Sequence, residues 1–470
     1  MTSPKNPNVL SVNAAFDGSQ MSELPCHDLA DADSALSTAH GLFQDRARWL
    51  GVPERIDVLR RTGEIMRDRI EELTLQAARE GGKPYTDSKI ELRRAIDGVE
   101  NCIEVLRAEG GEVIPMGVNK PSAGRIAFTR REPIGVVVAV SAFNHPMNLI
   151  VHQVAPGVAA GCPIIVKPAP DTPLSGKSFV EILHEAGLPP EWCQLIITDQ
   201  IDVAEKLVTD ERVGFFSFIG SARVGWMLRS KLAPGTRAAL EHGGAAPVIV
   251  AADANLDDAV PRMVKGGFYH AGQVCVSVQR IFAHADVARR LADQIAQQAG
   301  ELVVGDPTKP ETEVGPLIRP GEVKRVGEWV KEAIEGGSEC LTGGKAISET
   351  CYEPTVLYDP PGEARVSTNE IFGPVVCVFP FTDMEEALKR ANALPYAFQS
   401  AVFTRDIETA TRAYAGLDAS AVMVNDHTAF RVDWMPFAGL RQSGLGVGGI
   451  PHTFDEMTIQ KMMVLRSDHL

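Results

Sequence analysis

The chain has 470 residues, 44% hydrophobic and 23% charged, with 46 Lys+Arg against 61 Asp+Glu and a formal net charge of -15. This length exceeds one simple core and predicts two or three domains of ordinary globular composition. The acidic balance argues against nucleic acid or an anionic membrane surface as partner, and no apolar run is long enough to span a bilayer. The eight cysteines (26, 102, 162, 193, 275, 340, 351 and 377) show no C-x-x-C spacing. No metal knot or disulfide framework is therefore expected. Reduced thiols and a first segment without an apolar signal core point to the cytoplasm.

Residues 1–30 are polar and read as loop. From residue 53, Ile56, Leu59, Met66, Ile70, Leu73 and Ala77 recur mostly at three- and four-residue steps, which predicts a helical face. Leu92, Ile96, Val99, Ile103 and Leu106 mark a second helix that Gly110-Gly111 ends. Residues 112–132, with Pro115, Gly117, Pro121 and Gly124, read as a hairpin-like excursion. Apolar strands then alternate with helices. Strands are expected at 134–140, 163–166, 194–197, 214–218, 237–241 and 247–250, and helices at 147–160, 175–186, 202–209 and 223–232. This alternation predicts an α/β fold with a doubly wound parallel sheet, which binds ligands beyond the carboxyl ends of its strands. Asn144, Lys167, Ser221 and Glu241 each fall at or just after such an end. A second α/β region starts near 253, with helices near 257–270, 285–300 and 321–336 and strands near 278–283 and 375–379. Residues 457–465 read as a final strand.

Between the helix near 257–270 and the next strand lies Cys275, in the small polar setting Ala271-Gly-Gln-Val-Cys275. A free cysteine is commonly a small buried hydrophobe. A nucleophilic thiol needs a base or an electropositive site, and hydrolysis of an acyl-enzyme needs a base for water. Glu241, at a strand end and followed by Gly243-Gly244, is the natural partner, against the bland reading of a solvated strand-end carboxylate. One motif is rejected. Gly444-Leu-Gly-Val-Gly-Gly449 fits G-x-G-x-x-G, but only 21 residues follow it, too few for the βαβ unit that pattern needs. It reads as a flexible loop near a contact.

Several stretches together resemble the aldehyde dehydrogenase superfamily. They are Phe143-Asn-His-Pro146, Lys167-Pro-Ala169, Phe218-Ile-Gly-Ser221, Leu240-Glu-His-Gly-Gly244, Gly272-Gln-Val-Cys275, Glu370-Ile-Phe-Gly-Pro374, and Pro436-Phe-Ala-Gly439 with Gln442-Ser-Gly444. They follow the family's order from about 130 to 450. The likeness is greatest to the subgroup that includes lactaldehyde and phosphonoacetaldehyde dehydrogenases. The resemblance implies NAD(P)-dependent oxidation of a small aldehyde to its acid, with Cys275 as nucleophile, Asn144 as oxyanion donor and Glu241 as the base for water. Relatives that pass the acyl group to coenzyme A generally lack this glutamate, so water is the expected acceptor.

The resemblance further places the cofactor against Ser141, Ala142, Phe143, Lys167, Ala169, Pro170, Phe218, Gly220, Ser221, Val224, Glu370 and Phe372. A carboxylate often found three places after the lysine is here Pro170, which leaves NAD and NADP both open, with NAD favoured. The turn after the third strand, Thr198-Asp-Gln-Ile-Asp202, lacks the glycines many relatives carry. By the same resemblance, residues 1–111 with 134–241 form the NAD(P)-binding domain and 242–436 the catalytic domain. Residues 112–133 with 450–470 form the elements of a homodimer or homotetramer. His152, two helical turns after Asn144, and Phe437 are candidates for the substrate pocket, and a basic residue near position 152 favours a polar or anionic aldehyde. The alternative for His152 is a histidine satisfied within helix packing. Two other readings of the whole chain compete: a cofactor-independent thiol hydrolase with Cys275 activated by His242 or His270, and a non-catalytic nucleotide-binding protein of the same fold.

Overall fold

The structure, a computed structural model, describes residues 9–470. The first eight residues of the stretch read as loop lie outside the described residues. The remainder is not loop. Strands Val9–Asn13 and Gln20–Pro25 pair antiparallel, and helix Leu29–Gln44 follows. The strand pattern is hard to read because only Leu10, Val12 and Leu24 turn inward. The helix starts in a reciprocal cap. Asp28 accepts from the N–H of Ala30 and Asp31 at 2.8 and 3.0 Å, and Asp31 accepts from the N–H of Asp28 at 3.0 Å.

Two large sheets carry the rest. The first runs Gly444–Leu445, Arg237–Glu241, Val213–Ile219, Val136–Val140, Ile164–Lys167, Cys193–Leu195. Its inner strands are parallel and buried on both faces, as Val136–Ala139 and Phe215-Phe216 show. Continuous apolar strands of this kind fit a parallel sheet covered on both sides. One face packs on helices Val52–Asp68, Tyr85–Ala108 and Asn148–Ala160, and the other on Leu29–Gln44 and Ile201–Thr209. The second sheet runs Glu339–Thr342, Thr355–Tyr358, Val375–Phe381, Val278–His284, Ala246–Val250, Gln399–Phe403, Ala421–Val424. Only its first pair is antiparallel.

The stretch read as a hairpin-like excursion holds a nine-residue strand, Arg125–Pro133. It pairs in full with Thr458–Arg466 and at one end with Val113–Ile114. This three-stranded sheet leaves Ile126, Phe128, Met462, Met463 and Val464 exposed.

Helix Asn148–Ala160 is buried along its whole length, and its own N-cap side chain makes no capping bond. Glu91, on helix Tyr85–Ala108, supplies the acceptor. One of its oxygens accepts from the N–H of Met147 and Asn148 at 2.9 and 3.0 Å, and the other pairs with Lys83. Both side chains are almost wholly removed from solvent. A carboxylate at a helix N-terminus satisfies orphan donors and opposes the positive end of the dipole. Removing one partner of a buried pair leaves an uncompensated charge. Lys83→Met is therefore expected to cost about 3–5 kcal/mol in denaturant unfolding. Arg412→Met, which breaks the exposed pair with Glu385, should cost less than about 1 kcal/mol.

Candidate active site

The Cys275 loop is shaped by three consecutive left-handed residues, His270 (φ 49°), Ala271 (54°) and Gly272 (70°). A Cβ at position 272 would lie 2.1 Å from the carbonyl oxygen of Gly373, so only glycine lets the loop pack on the Glu370–Pro374 stretch. Gln273 ties the loop down. Its Nε2 donates to the carbonyls of Pro316 and His270 at 3.2 and 3.3 Å, and its Oε1 accepts from the Ile318 N–H at 2.9 Å. Asn144 Nδ2 donates to the Gln273 carbonyl at 2.9 Å. The oxyanion candidate from one sheet thus reaches the backbone two residues before Cys275 in the other.

Glu241 closes strand Arg237–Glu241, whose outer neighbour is Gly444–Leu445, with Gly444 opposite Glu241. The rejected glycine motif is therefore a sheet-edge pairing beside the carboxylate, not a free loop. Gly243 is needed here, because a Cβ would lie 1.6 Å from Glu370 Oε1, which accepts from the Gly244 N–H at 3.1 Å. Burial pushes Cys275 up to about 12 and Glu370 up to about 8, and raises Glu241. The Arg431 guanidinium opposes the shift at Cys275 and Glu241. Val274, Val276, Phe398 and Phe437 form an apolar wall beside Cys275.

At the strand ends of the first sheet, the Ser141 N–H donates to the Lys167 carbonyl at 3.1 Å, and the Ser141 hydroxyl is buried without a partner. Ala142 follows it, partly buried. Lys167 Nζ donates to the Pro168 carbonyl at 3.2 Å. Burial lowers it to about 8, with Asp171 and Asp199 opposing. Ala169 is buried and Pro170 partly so. The Gly220 turn leads to Ser221, the N-cap of helix Ala222–Arg229, whose hydroxyl makes no capping bond. Val224 lies in the first turn of that helix, and Phe218 packs beneath the turn against His242. Phe143 meets Phe372 edge to face at 5.8 Å, and Phe372 itself is held at φ 48°, a conformation that costs a non-glycine residue free energy. An unpartnered buried hydroxyl, an uncapped helix start, an ammonium and a carboxylate are groups that suit a dinucleotide's hydroxyls and pyrophosphate.

His152 and Phe437, the two substrate candidates, meet around a residue the sequence reading missed. The Arg431 guanidinium carbon lies 3.6 Å from the Phe437 ring centroid, and its Nη2 donates to His152 Nδ1 at 3.4 Å. The Nε of Arg431 is buried without a partner. Asp433, also missed, binds His152, Arg94 and Asn148. An Arg-x-Asp pair just before Pro436-Phe-Ala-Gly439 was the available signal, but charged residues in a loop read as solvated. His242 bonds the Gly220 carbonyl through Nδ1 and His270 meets His145 edge to face. Neither makes a hydrogen bond to Cys275 among the described residues.

The aldehyde dehydrogenase family model matches residues 2–463. The chain belongs to the aldehyde dehydrogenase family. It is 36% identical over 412 residues to 3-sulfolactaldehyde dehydrogenase of Priestia aryabhattai, covering 88% of this chain and 86% of that one. Aldehyde dehydrogenase 21 of Physcomitrella patens, solved with its reaction product succinate, superposes with a TM-score of 0.94 at 34% identity, covering 99% and 96% of the two chains. Glyceraldehyde-3-phosphate dehydrogenase of Methanocaldococcus jannaschii, solved with NADP, gives 0.93 at 32% identity, covering 98% and 100%. The protein is an NAD(P)-dependent aldehyde dehydrogenase.

The raised thiol has a direct consequence for this aldehyde dehydrogenase without ligands. Below about pH 12 the thiolate fraction rises about tenfold per pH unit. Alkylation of Cys275 by iodoacetamide, followed by mass spectrometry, is expected to accelerate about tenfold from pH 7 to 8 and again from 8 to 9. A plateau before pH 9 would contradict this. Arg431→Met removes the opposing cation and should slow alkylation at every pH in that range.

Proposed function

We propose that this aldehyde dehydrogenase oxidises a small aldehyde carrying an anionic group, with Cys275, Asn144 and Glu241 as its catalytic residues and water as the acyl acceptor. The observation that carries the anionic part is Arg431, a cation whose charge acts on both Cys275 and Glu241 and whose Nε has no partner. Buried charged donors are paired in folded proteins, and one left open beside a nucleophile is matched to an anion from the substrate. The sulfonated substrate in the name of the Priestia relative and the dicarboxylate product in the Physcomitrella structure have the same chemistry.

In this reading Cys275 gives up its proton to water and the thiolate so formed attacks the aldehyde carbon. Asn144 Nδ2 and the Cys275 N–H take the developing oxyanion, which requires the amide to exchange its bond to Gln273 for one to substrate. Lys167 and Glu370 hold the cofactor riboses, Gly220 and Ser221 the pyrophosphate, and Ser141, Ala142, Phe143, Ala169, Pro170, Phe218, Val224 and Phe372 line the groove. Bound NAD or NADP supplies the hydride acceptor. Glu241 then takes a proton from water, which attacks the thioester on Cys275 and frees the acid and the thiol.

Residues 1–111 with 134–241 act as the cofactor domain and 242–436 as the catalytic domain. Residues 112–133 and 450–470 join two copies. The exposed apolar residues of the three-stranded sheet, with Met462 and Met463 about half exposed, support a dimer or tetramer. Eight free cysteines support a cytoplasmic location, and no helix among the described residues is long and apolar enough to cross a membrane.

Absorbance of reduced nicotinamide with 3-sulfolactaldehyde and lactaldehyde, each with NAD and NADP, tests the function. The sulfonated aldehyde should have a kcat/KM about tenfold or more above the neutral one, the worth of one charge-assisted contact. Equal values would sink the anionic reading. Cys275→Ala should abolish turnover. Glu241→Gln should give a burst of one reduced nicotinamide per site, then a steady rate lower by about 10²–10⁴. In light scattering the native chain should run as a dimer or larger, and Met463→Lys should shift it towards the monomer.

A further inference from the structure

Behind Arg431 stands a buried chain of polar contacts that the reaction does not itself use. Asp433 Oδ1 accepts from Arg94 Nη2 at 2.7 Å, Asn148 Nδ2 at 3.2 Å and His152 Nε2 at 2.7 Å, and its Oδ2 accepts from Arg94 Nε at 3.1 Å. Burial opposes ionisation of Asp433, but these bonds hold the carboxyl well below the usual carboxylate range. His152 is pushed down to about 4, by burial first and by Arg431 next, so its imidazole is neutral near pH 7. A neutral imidazole has one N–H. An ionised carboxylate can only accept, so that N–H is on Nε2, facing Asp433. Nδ1 is left as a lone pair, and Arg431 Nη2 donates to it at 3.4 Å.

The same guanidinium is stacked on Phe437. The ring face and His152 thus contact the fork at two points. Neither contact uses Nε, whose buried N–H has no partner. A fork held at two points loses less freedom when it binds an anion, and groups that orient a binding residue contribute to affinity without touching the ligand.

We propose that Asp433, His152 and Arg431 form a positioning relay for substrate selection. Asp433 sets the His152 tautomer, His152 Nδ1 holds one arm of Arg431, and the free Nε edge is thereby presented to the anionic group of the aldehyde. This rests on the reading that Arg431 receives that group. His152 is then a positioning residue that acts through Arg431 and does not touch the substrate.

The test uses His152→Asn, His152→Gln and Arg431→Met, each with 3-sulfolactaldehyde and lactaldehyde, and reads the ratio of the two kcat/KM values. The Asn Oδ1 falls near the place of Nδ1 and can accept from Arg431, while contact with Asp433 is lost. Gln reaches Asp433 but places no acceptor where Nδ1 stood. The relay predicts that His152→Gln lowers the ratio about tenfold, mainly through KM for the sulfonated aldehyde, and that His152→Asn stays within about threefold of wild type. Equal ratios in the two variants, or a lower ratio in Asn than in Gln, would mean that His152 only packs against Asp433, and the relay is wrong. Collapse of the ratio in Arg431→Met with no change in His152→Gln overturns the relay and leaves the anionic reading standing. No change in Arg431→Met overturns both. Should His152→Gln fail to fold by thermal melting, Asp433→Asn reads the relay from its other end. A carboxamide N–H can donate to Nε2, move the proton to Nδ1 and turn it against Arg431, which should lower the ratio as well, and an unchanged ratio there counts against the relay.

Discussion

The 2.9 Å hydrogen bond from Asn144 to the Gln273 carbonyl is the point at which the candidate residues of the two large sheets meet. The first sheet presents Asn144, Lys167 and Glu241 at or just after strand ends, and Cys275 and Glu370 lie in loops that precede strands of the second. That convergence needs two loops held in register. On one side, Glu91 anchors the start of the helix that follows Asn144. On the other, Gln273 fastens the Cys275 loop through three backbone contacts. A buried amide and a buried carboxylate thus hold the Asn144 and Cys275 loops more firmly than apolar packing would, because their bonds are directional.

The electrostatics of the centre follow from its depth. Cys275, Glu241 and Glu370 are all shifted towards their neutral forms by burial. Among the described residues, the Arg431 cation opposes that shift at both Cys275 and Glu241. Behind it, charges alternate from Lys83 to Glu91, and from Arg94 to Asp433, each compensated by its neighbour. Such a buried ladder adds little net stability over an apolar core, but breaking it is costly. Its value here lies in geometry, since it sets where the helix Asn148–Ala160 and the loop carrying Arg431 can sit.

Much of this was legible in the chain. Apolar strands such as Val136–Val140 and Val213–Ile219 are buried on both faces, so their composition alone marks a parallel sheet. Asn144, Lys167, Glu241 and Cys275 stand out because each interrupts that pattern at a strand end or in a loop. The first hairpin and the helix Leu29–Gln44 were hidden because a small, half-exposed hairpin shows weak alternation and alanine-rich turns carry little periodic signal. The glycine stretch at 444–449 looked like a loop because a two-residue strand leaves no pattern of its own.

Local order therefore determined the fold class, the strand ends and the family motifs, since each depends on neighbours within a few residues. Tertiary structure alone decided the contacts of His152, Arg431 and Asp433. Periodicity could bring His152 to a pocket-facing side of its helix. It could not show that a carboxylate 281 positions later binds its Nε2, nor that an arginine from the same distant loop occupies the place where a substrate contact was expected. Burial and the charged partners that together shift these three groups are properties of the assembled core and of no single stretch.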